Sequence, residues 1–157
     1  MTLPDDQPRG DEKVYDWASE AGGWAPESVL EMAAVGKRNV WKAMGFSERP
    51  RQQVLVPGAG RPDLFAPGTV GEVKRRIRLN DGPMQLKRYL DALTEQQPEH
   101  APWVGVLVQH DEDLDAGVPE QLDAIPHQVK VFTLYETGHR WRAETLLSKR
   151  ATPSRRL

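Results

Sequence analysis

Apolar residues recur along the chain at the two spacings that distinguish helices from strands. From Pro26 to about Met44 they return every three or four positions and Gly45 follows, which predicts a first helix. The same spacing predicts a second helix over 83–97, with Asn80 or Asp81 as its expected cap, and a short helix near 120–124. These three segments are the expected helices of the fold.

Short runs rich in β-branched and aromatic residues alternate with these helices and predict strands. They cover 53–56, 61–66, 70–75, 103–108 and 128–134. The nearly continuous apolar run at 103–108 is typical of a central strand that is covered on both faces. The order α, β, β, β, α, β, α, β predicts an α/β fold with a mixed central sheet flanked by helices.

The chain has 157 residues, of which 38% are hydrophobic and 28% are charged, and its formal net charge is -2. These values are typical of one globular domain. We expect a flexible arm over 1–13, a single domain over 14–147 and a mobile basic tail over 148–157. No apolar run is long enough to span a bilayer, and the first residues lack the features of a signal peptide. We therefore expect no membrane partner.

The sequence contains no cysteine, and its four histidines are scattered without an i, i+4 pair. The lack of cysteine excludes disulfide scaffolds, thiolate metal sites and cysteine nucleophiles. The scattered histidines argue against a metal site built mainly on imidazole. Any bound metal is therefore expected to be a hard cation held by oxygen.

The small net charge conceals a separation of acidic and basic residues along the chain. Acidic residues dominate from 99 to 123, where lysine and arginine are absent, whereas basic residues dominate from 61 to 91. A basic surface attracts the phosphate backbone of nucleic acid. The residues predicted to bind nucleic acid are Arg61, Arg75, Arg76, Arg78, Lys87 and Arg88. A surface that only keeps the protein soluble is the alternative explanation for them.

The segment 60–74 contains the side chains that are candidates for catalysis and metal binding. If Pro67-Gly68 forms the tip of a hairpin, Asp63 faces Glu72 across the two strands. Directly opposed residues have Cβ atoms about 4.5–5.5 Å apart, and like charges at that distance are destabilising. A divalent cation between the two carboxylates would turn this repulsion into ligation. Mg²⁺ typically uses one or two carboxylates together with water and phosphate oxygens.

Lys74 lies two residues beyond Glu72 and is expected on the same face of the hairpin. A cation there can stabilise charge that develops on phosphorus or orient the attacking water, while the metal supplies Lewis acidity. The pattern therefore favours a phosphodiesterase site that uses Mg²⁺ or Mn²⁺. The alternative is an exposed sheet face on which Glu72 forms a weak ion pair with Lys74 or Arg61.

Pro62-Asp63, followed after eight residues by Glu72-Val73-Lys74, resembles the signature of the PD-(D/E)XK, or restriction-endonuclease-like, nuclease superfamily. Gln85 and Tyr89 in the next helix are similar to the Gln-containing motif of several of its branches. The residue pattern of this segment is most similar to that of the nuclease domains at the C-termini of bacterial polymorphic toxins. The resemblance covers roughly 26–134 and implies the αβββαβ core of that superfamily.

The resemblance also implies a role for each residue that matches the signature. Asp63 and Glu72 would hold Mg²⁺ or Mn²⁺, with the Val73 carbonyl as a further ligand. Lys74 would position or activate the nucleophilic water, and Gln85 would orient the site or the phosphate.

Some branches add a glutamate from the first helix, for which Glu31 or Glu27 is the candidate here. Helical spacing places both glutamates on the most polar stripe of that helix, which favours solvated ion pairs instead. Tyr89 is expected to be a packing residue rather than a catalytic one.

The sequence thus predicts a metal-dependent nuclease that acts on DNA rather than RNA, as a toxin-type or defence effector domain. Such a domain would act in the cytoplasm of a target cell, delivered there by a secretion system, and an immunity protein would be a second partner. One alternative is a catalytically inactive module of the same fold that binds nucleic acid or a protein partner. Another is a metal-dependent hydrolase of a different phosphate ester.

Overall fold

The computed structural model describes residues 27–152, which form a five-stranded mixed sheet flanked by helices. The elements in chain order are α1 (Glu27–Gly36), α2 (Arg38–Ala43), β1 (Leu64–Ala66), β2 (Thr69–Val73), α3 (Pro83–Gln96), a 3-10 turn (Pro98–His100), β3 (Val104–Gln109), α4 (Val118–Asp123), β4 (Gln128–Thr137) and β5 (Arg140–Lys149). The strands lie in the order β1-β2-β3-β4-β5. The three central strands are parallel, and both outer pairs are antiparallel. The predicted α/β class and mixed sheet are confirmed.

The helices follow the apolar spacing of the sequence with one interruption. The first predicted helix is divided into α1 and α2 at Lys37, whose backbone is extended with φ -108° and ψ 108°. It stops where the sequence predicts, because Gly45 adopts a positive φ of 95° and its N–H donates to the Lys42 carbonyl. Among residues 27–152, no helix combines the length and the hydropathy needed to cross a membrane. The predicted arm over 1–13 lies outside the described residues.

The β1–β2 hairpin has the register that its Pro67-Gly68 tip predicts. Phe65 pairs with Val70 and Ala66 pairs with Thr69, as expected from the sequence. Gly68 adopts a positive φ of 84°, a conformation that glycine tolerates and that the turn requires. This register brings Asp63, just before β1, next to the end of β2.

The strand predicted over 53–56 is wrong. Within this segment only Val56 forms an isolated bridge, to Gly60, and Arg51 just before it forms another with Phe65. A regular strand cannot form here because Gln53 has a positive φ of 58° and Pro57 follows directly after Val56. The three-strand meander expected from the sequence is therefore a two-strand hairpin whose edge is partly covered by a loop.

The C-terminal strand β5 is an element that the apolar pattern did not reveal. Its ten residues alternate mostly between exposed and half-buried positions, and Trp141 is the only buried one. A half-exposed edge strand with charged residues has little apolar periodicity. Pairing with β4 therefore defines it, and it includes Ser148 and Lys149, at the start of the tail expected from the sequence.

The sheet is buried on both faces, as the apolar run of β3 predicts. On one face α1 and α2 pack on alternate strand residues; the core there includes Leu30, Val40, Trp41, Val73, Val106 and Val108. On the other face α3 and α4 cover a second core, which includes Val70, Leu86, Leu90, Trp103, Leu107 and Leu122. Strand alternation therefore turns Glu72 towards the α3 face. The core residues on that face are apolar, and Glu72 is buried beside them.

The close contact between β3 and α3 predicts a sharp response to one methyl group. A Cβ on Gly105 would lie 2.8 Å from both Leu86 Cδ2 and Leu90 Cδ1. We expect Gly105→Ala to lower the free energy of unfolding by about 1–3 kcal/mol through overpacking. In urea titrations the matched control is Gly36→Ala, where a Cβ meets nothing within 4 Å. Equal unfolding free energies for the two variants would contradict this packing.

Candidate active site

Asp63 is hydrogen-bonded across the β1–β2 hairpin to Glu72 and to its neighbour Val73. The Asp63 N–H donates to Glu72 Oε1 at 3.2 Å, and the Val73 N–H donates to Asp63 Oδ2 at 2.8 Å. The other Asp63 oxygen, Oδ1, accepts a hydrogen bond from Gln53 at 3.1 Å. The structure thus brings together the two carboxylates that the sequence pairs. It holds Asp63 by backbone contacts as well as by its side chain.

Glu72 is a buried carboxylate with few compensating charges. Only 5% of the residue is exposed. Two main effects raise the pKa of Glu72 from 4.5 to about 8, despite the nearby positive charge of Lys74. The larger is burial, and the smaller is repulsion from Asp63. The proton of Glu72 is therefore retained at neutral pH unless another cation neutralises the carboxylate.

Glu31 of α1 adds a third carboxyl group to this pair. It is half-buried and shares a hydrogen bond with Asp63. Burial and repulsion from Asp63 and Glu27 raise the pKa of Glu31 from 4.5 to about 7. The sequence offered Glu31 or Glu27 as this residue and favoured solvated ion pairs for both. The structure separates them, because Glu27 is exposed at the start of α1.

Lys74 lies just after β2, close to the carboxylates but paired with a different residue. Its Nζ is 3.0 Å from Asp81 Oδ1. Burial lowers the pKa of Lys74, but the charges of Asp81, Glu72 and Glu27 outweigh that effect and raise it overall. Lys74 is therefore a stable cation beside Glu72. The sequence indicated Asp81 only as a helix cap, and its contact with Lys74 depends on the turn between β2 and α3.

Gln85 has a structural function at the start of α3. Its Oε1 accepts a hydrogen bond from the Gly82 N–H at 2.6 Å, which satisfies the backbone donor of the N-cap residue. Its Nε2 lies 3.4 Å from Asp81 Oδ1, the oxygen that also pairs with Lys74. The structure therefore links Gln85 to Lys74 through Asp81. No direct hydrogen bond from Gln85 to Asp63 or Glu72 is among the contacts of the described residues.

Tyr89 is a further member of the site. Its ring is 6% exposed, and its hydroxyl forms a hydrogen bond with Glu72. Burial and the nearby charges of Glu72 and Asp63 raise the pKa of Tyr89 to about 12. The sequence indicated only packing for this residue. Its position one turn after Gln85 on α3 was the available signal, because residues at i and i+4 share a helix face.

The six basic residues predicted to bind nucleic acid fall into two groups. Three of them have partners within the chain, and a fourth is exposed outside the pocket lining. Arg61 donates to the Gln53 carbonyl, Arg76 pairs with Asp111 and Asp115, Lys87 pairs with Asp91 at 2.7 Å, and Arg88 lies exposed on α3. The other two, Arg75 and Arg78, are exposed and line one pocket near Lys74. The basic segment is thus not one continuous surface.

The carboxylate oxygens of this site are ligands that suit a hard cation. Asp63 and Glu72 provide the two carboxylates that Mg²⁺ commonly uses, and burial together with repulsion from Asp63 raises the pKa of Glu72. Within residues 27–152, no group of three or more His, Asp or Glu side chains is arranged as a metal-binding cluster. A cation here would therefore depend on two carboxylates, water and substrate oxygens. The role of the Val73 carbonyl stays a prediction.

A scan against protein-family models finds no matching family, and searches of curated proteins and of solved structures find no match either.

Proposed function

We propose that this protein is a metal-dependent nuclease that hydrolyses the phosphodiester bonds of DNA. The observation that carries the proposal is the joined pair of Asp63 and Glu72, with the Lys74 cation two residues further along the chain. Two carboxylates and a lysine at one end of a hairpin provide the groups that phosphodiester hydrolysis needs. The proposal also rests on the resemblance of this segment to the restriction-endonuclease-like signature.

Each side chain has a distinct part in the proposed reaction. When bound, Mg²⁺ or Mn²⁺ would supply Lewis acidity at the phosphate. Asp63 and Glu72 would hold the cation, with Glu31 close enough to support it through Asp63. Lys74 Nζ would orient the attacking water or stabilise the developing negative charge, and Asp81 would hold that ammonium group in place. Tyr89 would orient the Glu72 carboxylate through its hydroxyl.

The assay that tests this function measures cleavage with and without the metal. We expect the protein to convert supercoiled plasmid DNA to nicked and linear forms in Mg²⁺ or Mn²⁺, and to lose this activity in EDTA. Structured RNA of similar length is the matched substrate and should be cut more slowly. Intact DNA under every metal condition would refute the proposal.

A second function is favoured by the arrangement of Gln85 and Lys74. Gln85 caps a helix and Lys74 pairs with Asp81, so two residues of the signature already have structural partners. A catalytically inactive module of the same fold, which binds nucleic acid or a protein partner, would keep such contacts. It predicts DNA binding without cleavage. It also predicts that calorimetric titration with Mn²⁺ shows no binding heat that depends on Glu72, so that the natural protein and Glu72→Gln give the same result.

The biological setting proposed for the nuclease is that of a toxin-type or defence effector. The restriction-endonuclease-like core is proposed with it, since a mixed sheet flanked by helices is compatible with that fold. The protein would then act in the cytoplasm of a target cell after delivery by a secretion system. An immunity protein that covers the site would be its second partner.

A further inference from the structure

We infer that the pocket lined by Arg75 and Arg78 binds a backbone phosphate of the substrate, one that neighbours the phosphate to be cleaved. This inference rests on the proposed nuclease function and adds a second anion site to it. The pocket is open, has a volume of about 440 Å³, and is lined by Glu27, Arg75, Arg76, Arg78 and Asp81. Its lining side chains are all charged, which suits an ionic ligand better than an apolar one.

The two arginines are available to an external anion. Arg75 and Arg78 are exposed, and no carboxylate of residues 27–152 pairs with either of them. Arg76, which lies between them, points its guanidinium to Asp111 and Asp115 instead. Guanidinium groups bind phosphate oxygens through paired N–H donors, a geometry that favours phosphodiesters.

The loop that carries these arginines is fixed before any ligand binds. Ile77 is fully buried, and its N–H donates to the side chain of Gln109 at 2.9 Å. Arg78 and Asp81 exchange backbone hydrogen bonds of 3.1 and 3.0 Å. Asn80, at the tip, is tied to Gln121 of α4 through its backbone N–H and its side chain. A pre-organised loop loses little conformational entropy on binding.

Two lining residues of the pocket interact with the candidate active site. Asp81 lines the pocket and also pairs with Lys74 Nζ at 3.0 Å. Glu27 lines the pocket and also acts electrostatically on Lys74 and on Glu31. An anion beside Arg75 and Arg78 would therefore lie within a short distance of the catalytic lysine, as expected for adjacent phosphates of one strand.

The acidic lining residues leave an excess of positive charge. Three of the five lining residues are basic and two are acidic; Asp81 is paired with Lys74, and Arg76 is paired with Asp111 and Asp115. Of the two carboxylates in the lining, only Glu27 has no paired cation among residues 27–152 to oppose the charges of Arg75 and Arg78. A monoanionic phosphodiester matches the single net positive charge of the lining residues.

The test measures binding of a fluorescent 20-base-pair DNA duplex in EDTA as a function of salt. In Arg75→Gln/Arg78→Gln we expect weaker binding and a plot of log K against log salt that is flatter by up to about 0.9, because the contact with one phosphate is lost. The matched control is Arg38→Gln/Lys42→Gln, which removes two positive charges from α2, an element outside the pocket lining. The control should keep the slope of the natural protein. Each single arginine variant should lose about half as much, which keeps the test valid if the double variant fails to fold.

Cleavage measured in Mg²⁺ separates the pocket from the proposed function. The arginine variants should raise KM for DNA and leave kcat nearly unchanged, since the pocket holds a phosphate that does not react. If the natural protein cleaves DNA and the arginine and control variants share one salt slope, the pocket inference is overturned and the nuclease stands. If DNA binds through the arginines without being cleaved, the pocket inference stands and the nuclease is overturned. Absence of DNA binding by the natural protein overturns the pocket inference.

Discussion

Replacing Asp63 with asparagine is expected to reduce Mg²⁺-dependent DNA cleavage by more than about a hundredfold, because even outer contacts of a metal site contribute 10–100-fold. Asparagine keeps an oxygen at the position of Oδ2, so the hydrogen bond from the Val73 N–H can survive. It removes the negative charge that would attract the cation. Activity should therefore fall while the hairpin stays folded.

The lysine of the site should be equally sensitive. Lys74→Gln removes the cation and is expected to lower kcat by roughly 10²–10³-fold, a typical effect for a group that stabilises charge in the transition state. KM for DNA should change much less, because Lys74 acts on the reacting phosphate. Initial rates of plasmid nicking over a range of DNA concentrations measure both constants.

Two charge-matched variants serve as controls for these substitutions. Asp91→Asn removes an exposed carboxylate on α3 that pairs with Lys87 and His127. Lys42→Gln removes an exposed lysine on α2. Both should cleave DNA at the rate of the natural protein. If Asp63→Asn and Lys74→Gln also retain full activity while their melting curves are normal, the active site lies elsewhere.

The metal-free protein is expected to become less stable as the pH rises from 5 to 9. Burial and repulsion raise the pKa of Glu72 from 4.5 to about 8, so the folded state prefers the protonated carboxyl group. A raised pKa gives stability that is complete below about pH 4.5 and is lost as the pH passes about 8. Glu31, with its pKa raised to about 7, acts in the same direction. The loss should amount to a few kcal/mol and be visible as a lower urea midpoint.

Glutamine at position 72 imitates the protonated acid and isolates this effect. In EDTA, Glu72→Gln should resemble the natural protein at pH 5 and exceed its stability at pH 9. Glu95→Gln, on the exposed side of α3, is the matched control and should follow the natural protein throughout. Adding Mn²⁺ should stabilise the natural protein more at pH 8 than at pH 5, because bound metal requires the deprotonated carboxylates. Parallel pH curves for Glu72→Gln and the natural protein would contradict the raised pKa of Glu72.

The position of the acidic pair could be predicted because it depends on local register. Once Pro67-Gly68 is taken as a turn, strand geometry determines which residues face each other, and the structure has that register. The same local logic found α3 and the central strand β3. A turn and an apolar period are properties of neighbouring residues, so they can be read from the sequence.

The remaining parts of the site depend on contacts between distant segments. Glu31 lies on the polar stripe of α1, and only the packing of α1 beside the hairpin shows that it meets Asp63. Asp81 was expected to cap a helix, but Gly82 occupies the cap and Asp81 is free to pair with Lys74. Strand β5 was missed because its stability comes from pairing with β4 rather than from its own apolar pattern.

The reciprocal contacts of Asp63 also limit how this site can change over time. Its backbone N–H binds Glu72 and its side chain binds the Val73 N–H, so the same aspartate closes the hairpin and carries the chemistry. Alanine would leave the Val73 N–H without that acceptor, whereas asparagine would keep an acceptor for it and remove the charge. Replacement by asparagine would therefore remove catalysis with little loss of stability, whereas replacement by a smaller side chain would also destabilise the hairpin. Inactive descendants of this protein should carry asparagine at position 63 more often than alanine.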